Sequence, residues 1–175
     1  GLSEAMYLDR QAFAAVNGFS FESVHGYNPC GTCATVSTPS GSAIEVMFVD
    51  DCGTCGPDEM LISEEGINAL NAFSPVEGSS YSLHPCINLS HEGIFLSMID
   101  VGRYYARFGL GNLPEALSSA RINGIEAEQN HLGQFELYAD LTRTSDVYSI
   151  ELTTASGRTI TAEIPFIESQ YLGVE

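Results

Sequence analysis

Two cysteine pairs, Pro29-Cys30-Gly31-Thr32-Cys33 and Asp51-Cys52-Gly53-Thr54-Cys55, carry the plainest chemistry in the chain. Their spacing, C-x2-C-x18-C-x2-C, falls within the range of a zinc ribbon, where four thiolates on two turns close a tetrahedral structural site. The same residues suit disulfides. Cys86 is a fifth cysteine outside the pattern, and no Lys or Arg flanks either turn, which favours disulfides. An odd count then leaves one thiol free or paired with another chain. His25 lies near Cys30 and Cys33, so a mixed Cys/His site is a lesser alternative. His84, His91 and His131 are scattered without ligand spacing and read as surface or structural histidines. No metal or cofactor is assigned.

The carboxylates are the second candidate chemistry. A glycosidase-like general acid needs a carboxyl at the scissile oxygen and a partner across the groove. Asp58 and Glu59 are adjacent in sequence, but a strand sends neighbours to opposite faces. Glu64 and Glu65 fit the first turn of a helix. Asp50 and Asp51 suit a solvated turn or a cap as well as a groove.

Charge narrows the partners. The 175 residues hold 23 acids against six Arg and no Lys, for a net charge of −17. Residues 1–90 carry eleven acids and one Arg (net −10), and residues 91–175 carry twelve acids and five Arg (net −7). Both halves should repel phosphate backbones, anionic membranes and acidic polymers, so neither nucleic acid nor membrane insertion is expected. A hydrophobic content of 44% is enough for a real core, and no apolar run approaches a membrane span. No basic n-region with an apolar h-region opens the sequence, so a secretory leader would already have been removed.

The elements that must hold these residues are mainly strands. Thr38-Pro39-Ser40-Gly41 is turn chemistry before the β-rich run Ile44 to Val49, so residues 34–49 read as a hairpin. Ser63 to Leu70 is the best helical segment, with Ser63 as N-cap and two acids in its first turn. Past residue 91, strands are expected at Ile94 to Val101, Tyr104 to Leu110, Leu117 to Ile122, Phe135 to Ala139, Val147 to Thr153 and Thr159 to Ile164. The last two form a hairpin through Thr154-Ala155-Ser156-Gly157. Such spacing suggests a small β-sandwich. All five cysteines lie before it, which suggests a cross-linked unit over 1–90 and a second, held by packing alone, over 91–175. Asn88-Leu89-Ser90 is a glycosylation sequon at that boundary, relevant in a eukaryotic source.

Taken in order, several segments resemble the bacterial and fungal expansins and the shorter loosenins. Ser3-Glu4-Ala5-Met6-Tyr7 resembles the family's opening Gly-Glu-Ala-Thr-Tyr, and Ala14-Ala15-Val16-Asn17 its Ala-Ala-Leu-Asn. Cys30-Gly31-Thr32-Cys33 and Val49-Asp50-Asp51-Cys52-Gly53-Thr54-Cys55 resemble Cys-Gly-x-Cys and Val-Asp-x-Cys-x-x-Cys. Met60-Leu61-Ile62-Ser63 stands where the family writes Leu-Asp-Leu-Ser, and Leu83-His84-Pro85-Cys86 where it writes Val-Val-Pro-Cys. Gly102-Arg103-Tyr104-Tyr105-Ala106 and Gly111-Asn112 fall where the second domain has Trp-Trp-Ala-Ala and Arg-Asn. The loop carrying the family's usual sixth cysteine is reduced here to Asp9-Arg10-Gln11, which accounts for the odd count.

The resemblance implies an all-β chain: a double-psi β-barrel bearing the disulfides, then an immunoglobulin-like β-sandwich that binds carbohydrate. It implies a secreted, extracellular protein that loosens polysaccharide networks without hydrolysis. The family's groove uses an Asp and a Thr where this chain has Leu61 and Met6, and Asp50 alone persists. Neither Leu nor Met can transfer a proton, so no enzymatic activity is expected. On the second domain, Tyr104 and Tyr105 take the paired-Trp position, with Phe135 as the third stacking aromatic. Consecutive strand residues point apart, so Tyr104 and Tyr105 share a surface only at a bend or bulge. The chain has no Trp, and Tyr is a smaller platform, so affinity for a cellulose-like or other insoluble glycan should be lower than in the family. The alternative is a structural subunit of an extracellular filament, coat or matrix, self-assembled through sheet edges or the odd cysteine.

Overall fold

Nine strand residues, β3 (Ala43–Asp51), form the spine of the first half. In the computed structural model, which describes residues 12–57, 59–71, 78–86, 93–140, 147–164 and 170–173, β3 pairs antiparallel with β2 (Cys33–Ser37), Ser37 facing Ala43. This is the hairpin expected from the Pro39-Ser40-Gly41 turn. The other flank of β3 takes β1 (Phe13–Val16) in parallel, and β4 (Met60–Ile62) and β5 (Ser80–His84) complete a five-stranded sheet in the order β4-β1-β3-β2-β5. The sheet curls into a half-barrel around Ala14, Val16, Phe21, Ala34, Val36, Val46 and Phe48. The opening segment at residues 3–7 and the sequon at Asn88 lie outside the described residues.

Two helices brace this sheet. α1 (Gly18–His25) is capped by Asn17, whose side chain accepts from Ser20 N, and α2 (Glu64–Ala69) by Ser63, whose hydroxyl accepts from Gly66 N. The second was legible in its capping serine and paired acids. The first was not: only Gly18 and Phe21 are buried along it, so it has no apolar stripe of helical period.

The second half consists of β6 (Phe95–Gly102), β7 (Tyr105–Gly111), β8 (Leu117–Ile122), β9 (Ile125–Gln129), β10 (Phe135–Leu137), β11 (Tyr148–Thr154), β12 (Thr159–Ile164) and β13 (Gln170–Tyr171). They are hydrogen-bonded in the order β12-β11-β8-β9-β10-β7-β6-β13. β9 belongs to both layers, pairing with β8 through Ala127 and with β10 through Glu128 and Gln129. Phe108, Leu110, Phe135 and Leu137 share a closed core with Ala120, Ile122, Ile150, Leu152 and Ile160. Each such Phe, Leu or Ile contributes about 1.5–3 kcal/mol relative to exposure. The all-β barrel-plus-sandwich fold is therefore present.

A third, smaller core joins the halves: Cys33, Met47 and Val49 from the barrel against Phe95 from β6, with Phe13 and Cys86 at its edge. Backbone bonds lock the same seam, Leu113 N donating to Gly31 O at 3.0 Å and Cys86 N to Leu113 O at 3.3 Å. Gly31 has φ +85°, and a Cβ there would strike the Leu110 carbonyl. The seam needs glycine at that position.

Candidate functional site

The barrel contributes one exposed row. A register shift between Ala14 and Ala15 places Ala14 opposite Phe48 in the core and Ala15 opposite Asp50. Ala15 also faces Leu61 across β4. Cross-strand partners share a face, so Leu61, Ala15 and Asp50 form a line across three strands. Leu61 is 60% exposed, an uncompensated apolar side chain on the surface. Asp51 does something else: its Oδ1 accepts from Gly18 N at 2.6 Å, capping α1. Glu59 closes its own turn, accepting from Gly56 N at 2.7 Å. Met6 and Asp58 lie outside the described residues.

The sulfurs resolve the zinc question. Cys33 is bonded to Cys86 and Cys52 to Cys55, so three of the four thiolates of the ribbon reading are already used. Of the two alternatives the disulfide one is present, because Cys33 reaches the strand-end cysteine beside β5 rather than the second turn. Among the described residues no cluster of three or more His, Cys, Asp or Glu is placed to hold a metal ion. His25 packs its ring against Phe21 at 4.2 Å, and His84 lies within hydrogen-bond distance of Thr35 Oγ1 and Pro85 O. The odd cysteine is Cys30. It is half-buried at the seam, and burial pushes its thiol up to about 12. Thiol reagents at pH 8 should therefore label it very slowly in the folded protein and rapidly in urea, since only the thiolate reacts. Rapid labelling of the native state would show the thiol is open to solvent.

The sandwich presents an aromatic face. Gly102 pairs with Tyr105, leaving Arg103 and Tyr104 as a two-residue turn, which frees Tyr104 from strand alternation. Tyr104 is 56% exposed with the Arg103 guanidinium 4.8 Å from its ring centroid. Arg103 Nε in turn lies 3.7 Å from Asp140 Oδ1. Tyr105 packs against Tyr138 with centroids 5.1 Å apart, and Tyr138 is 65% exposed.

Phe135 does not belong to this face. It is 2% exposed and stacks on its register partner Phe108, centroids 5.6 Å apart, inside the sandwich core. No sugar can reach it. The alternation of β10 explains the correction: Phe135 and Leu137 point inward, so Glu136 and Tyr138 point out. Tyr138, missed in the sequence reading, is the third aromatic of the face. Reading Phe-Glu-Leu-Tyr with period two would have found it.

Tyr138 is also anchored. Its hydroxyl donates to Glu136 Oε2 at 2.9 Å, and Asn130 Nδ2 donates to Glu136 Oε1 at 2.9 Å. Asn130 Oδ1 accepts from Leu132 N and Gln134 N, closing the turn between β9 and β10. The bonds from Asn130 and then Tyr138 hold the Glu136 carboxyl below its ordinary range, and the Glu136 acceptor raises the Tyr138 phenol.

No protein-family model and no curated protein sequence matches the chain. Solved structures do. The apo expansin of Clavibacter michiganensis superposes with a TM-score of 0.71 at 18% identity, covering 94% of this chain and 81% of that one. A point mutant of the same expansin, solved in complex with cellohexaose, superposes at 0.72 over the same shares. By structure, this chain has the expansin fold.

Proposed function

We propose that this chain is a secreted, expansin-like polysaccharide-binding protein without hydrolytic activity, its barrel spanning 1–90 and its sandwich 91–175. The observation that carries the reading is the packed pair Tyr105 and Tyr138 at the sandwich surface, with Tyr104 exposed in the turn beside Tyr105. Flat apolar rings with polar rims accept the C–H faces of pyranoses, and the rim here is supplied by Arg103, Asp140 and Glu136. A related fold solved with cellohexaose supports a glycan of that class.

The barrel groove is the diverged part. With Leu61 in the exposed row and Asp50 as its carboxylate, the row offers an acceptor and no partner acid for proton transfer. The net charge of −17 argues for a neutral glycan over an acidic one. The half-buried Cys30 thiol, pushed up by desolvation, gives little support to assembly through interchain disulfides.

Incubation with insoluble cellulose, chitin and xylan tests both halves of the proposal. The protein should be retained on at least one of them while releasing no soluble reducing sugar. Sugar release by the purified protein would show the non-hydrolytic reading to be wrong.

A further inference from the structure

Tyr138 stands in water without being loose. The ring is 65% exposed, and an exposed tyrosine left to itself samples several rotamers. Two contacts restrict it. Tyr105 packs against the ring, centroids 5.1 Å apart, and the hydroxyl donates to Glu136 Oε2 at 2.9 Å. Glu136 and Tyr138 are two residues apart on the outward side of β10, so the carboxylate reaches the hydroxyl along one face.

The other end of the Glu136 carboxylate is tied to a rigid turn. Oε1 accepts from Asn130 Nδ2 at 2.9 Å, while Asn130 Oδ1 accepts from Leu132 N and Gln134 N. The backbone closes the same turn, Asn130 N donating to Gln134 O at 2.8 Å and Gly133 N to Asn130 O at 2.9 Å. The carboxylate is therefore placed by a side chain that the turn backbone itself fixes. It faces Arg107 on β7 and Glu128 on β9, and the bonds from Asn130 and Tyr138, with the charge of Arg107, keep it ionised. Hydrogen bonds to an ionised acceptor are about twice as strong as neutral ones. Asn130, Glu136 and Tyr138 thus form a strut from the turn to the edge of the tyrosine face.

We infer that Glu136 is a positioning residue for glycan binding, its carboxylate presetting the Tyr138 ring in the orientation on which a pyranose stacks. The inference rests on the polysaccharide-binding reading above and adds to it a residue that acts through the ring. Each Glu136 oxygen already holds a donor, so its contribution runs through Tyr138 and not through the sugar. A ring ordered before binding loses less side-chain entropy when the sugar arrives, a difference worth about twofold to tenfold in affinity.

Calorimetry with β-1,4-linked hexasaccharides of glucose, N-acetylglucosamine and xylose tests this. The proteins compared are wild type, Glu136→Ala, Glu136→Gln, Tyr138→Phe and the Glu136→Ala, Tyr138→Phe double variant. Glu136→Ala and Tyr138→Phe should each weaken the best-bound sugar about twofold to tenfold, with the double variant no weaker than either. Glu136→Gln, which can still bond both partners, should recover part of the loss. Asn130 keeps its bonds to the turn backbone in every variant, so unchanged circular dichroism spectra are expected. Should Glu136→Ala fail to fold, Tyr138→Phe and Glu136→Gln carry the test. Wild-type affinity in Tyr138→Phe overturns the inference. So does an equal loss from Glu136→Ala with and without the Tyr138 hydroxyl, since that marks a direct contact between Glu136 and the sugar. Both outcomes leave the polysaccharide reading standing. Failure of the wild type to bind any of these sugars overturns that reading, and the positioning role with it.

Discussion

Phe135→Ala lowers the free energy of unfolding by about 3–5 kcal/mol, the cost of removing a large ring from a packed core. The side chain is 2% exposed and stacked on Phe108 in the core it shares with Leu137 and Ile150, so its loss leaves a cavity. Tyr138→Ala, three residues on, costs far less, since the ring is 65% exposed and loses chiefly its contacts with Tyr105 and Glu136. For glycan binding the order reverses. Urea denaturation of the two variants, with unchanged slopes, checks the first half of this contrast. A mild effect at Phe135 would mean that β10 is turned the other way, with the wrong aromatic assigned to the surface.

The two disulfides should be unequal. Removing Cys33–Cys86 as a double alanine variant is expected to cost about 4 kcal/mol, and removing Cys52–Cys55 about 2 kcal/mol, from the chain entropy each withdraws from the unfolded state. The first closes a sequence separation of 53 and the second a separation of 3. Packing widens the gap: Cys33 is fully buried in the seam core beside Met47 and Phe95. Its loss should therefore loosen the junction of barrel and sandwich as well as β2 and β5. The Cys52–Cys55 turn is held independently by Asn17 Nδ2, which donates to Cys55 O at 3.2 Å, and by Cys52 N, which donates to Val16 O. Thermal unfolding of the two variants should rank them in that order. Equal losses would count against a special role for the seam.

Much of the architecture was legible because its signals are local. The Pro39-Ser40-Gly41 turn, the Ser63 cap and the Thr154 to Gly157 turn each fix a short element through backbone chemistry that neighbours do not alter. Helix α1 was not legible, since its stability comes from Asn17 and Asp51, the latter distant in sequence. Strand β9 was missed for a related reason. Ile125-Glu126-Ala127-Glu128-Gln129 buries only Ala127, because the strand bends from one layer to the other and leaves most of its side chains outside.

The candidate site divides in the same way. Tyr104 and Tyr105 stood out as adjacent aromatics, and the structure puts Tyr104 in an exposed turn and leaves Tyr105 half-buried at the head of β7. Phe135 was misplaced because a ring was matched by rank along the chain instead of by strand parity. Cysteine pairing was open because spacing alone does not choose among five cysteines, while the actual partner of Cys33 is set by the antiparallel register that puts Cys33 opposite His84. Phe19 and His131 stack across 112 positions, and nothing local marks either ring for the other. Contacts across the seam are the least visible feature of such a chain.

The central claim is that a tyrosine face on an expansin-type fold holds a polysaccharide. Its most direct test is retention on the best-bound insoluble glycan, comparing wild type with the Tyr104→Ala, Tyr105→Ala, Tyr138→Ala triple variant at matched stability. The account predicts measurable retention of the wild type and at least about a tenfold loss in the triple variant, from three stacking contacts removed together. Equal retention of the two proteins would contradict it.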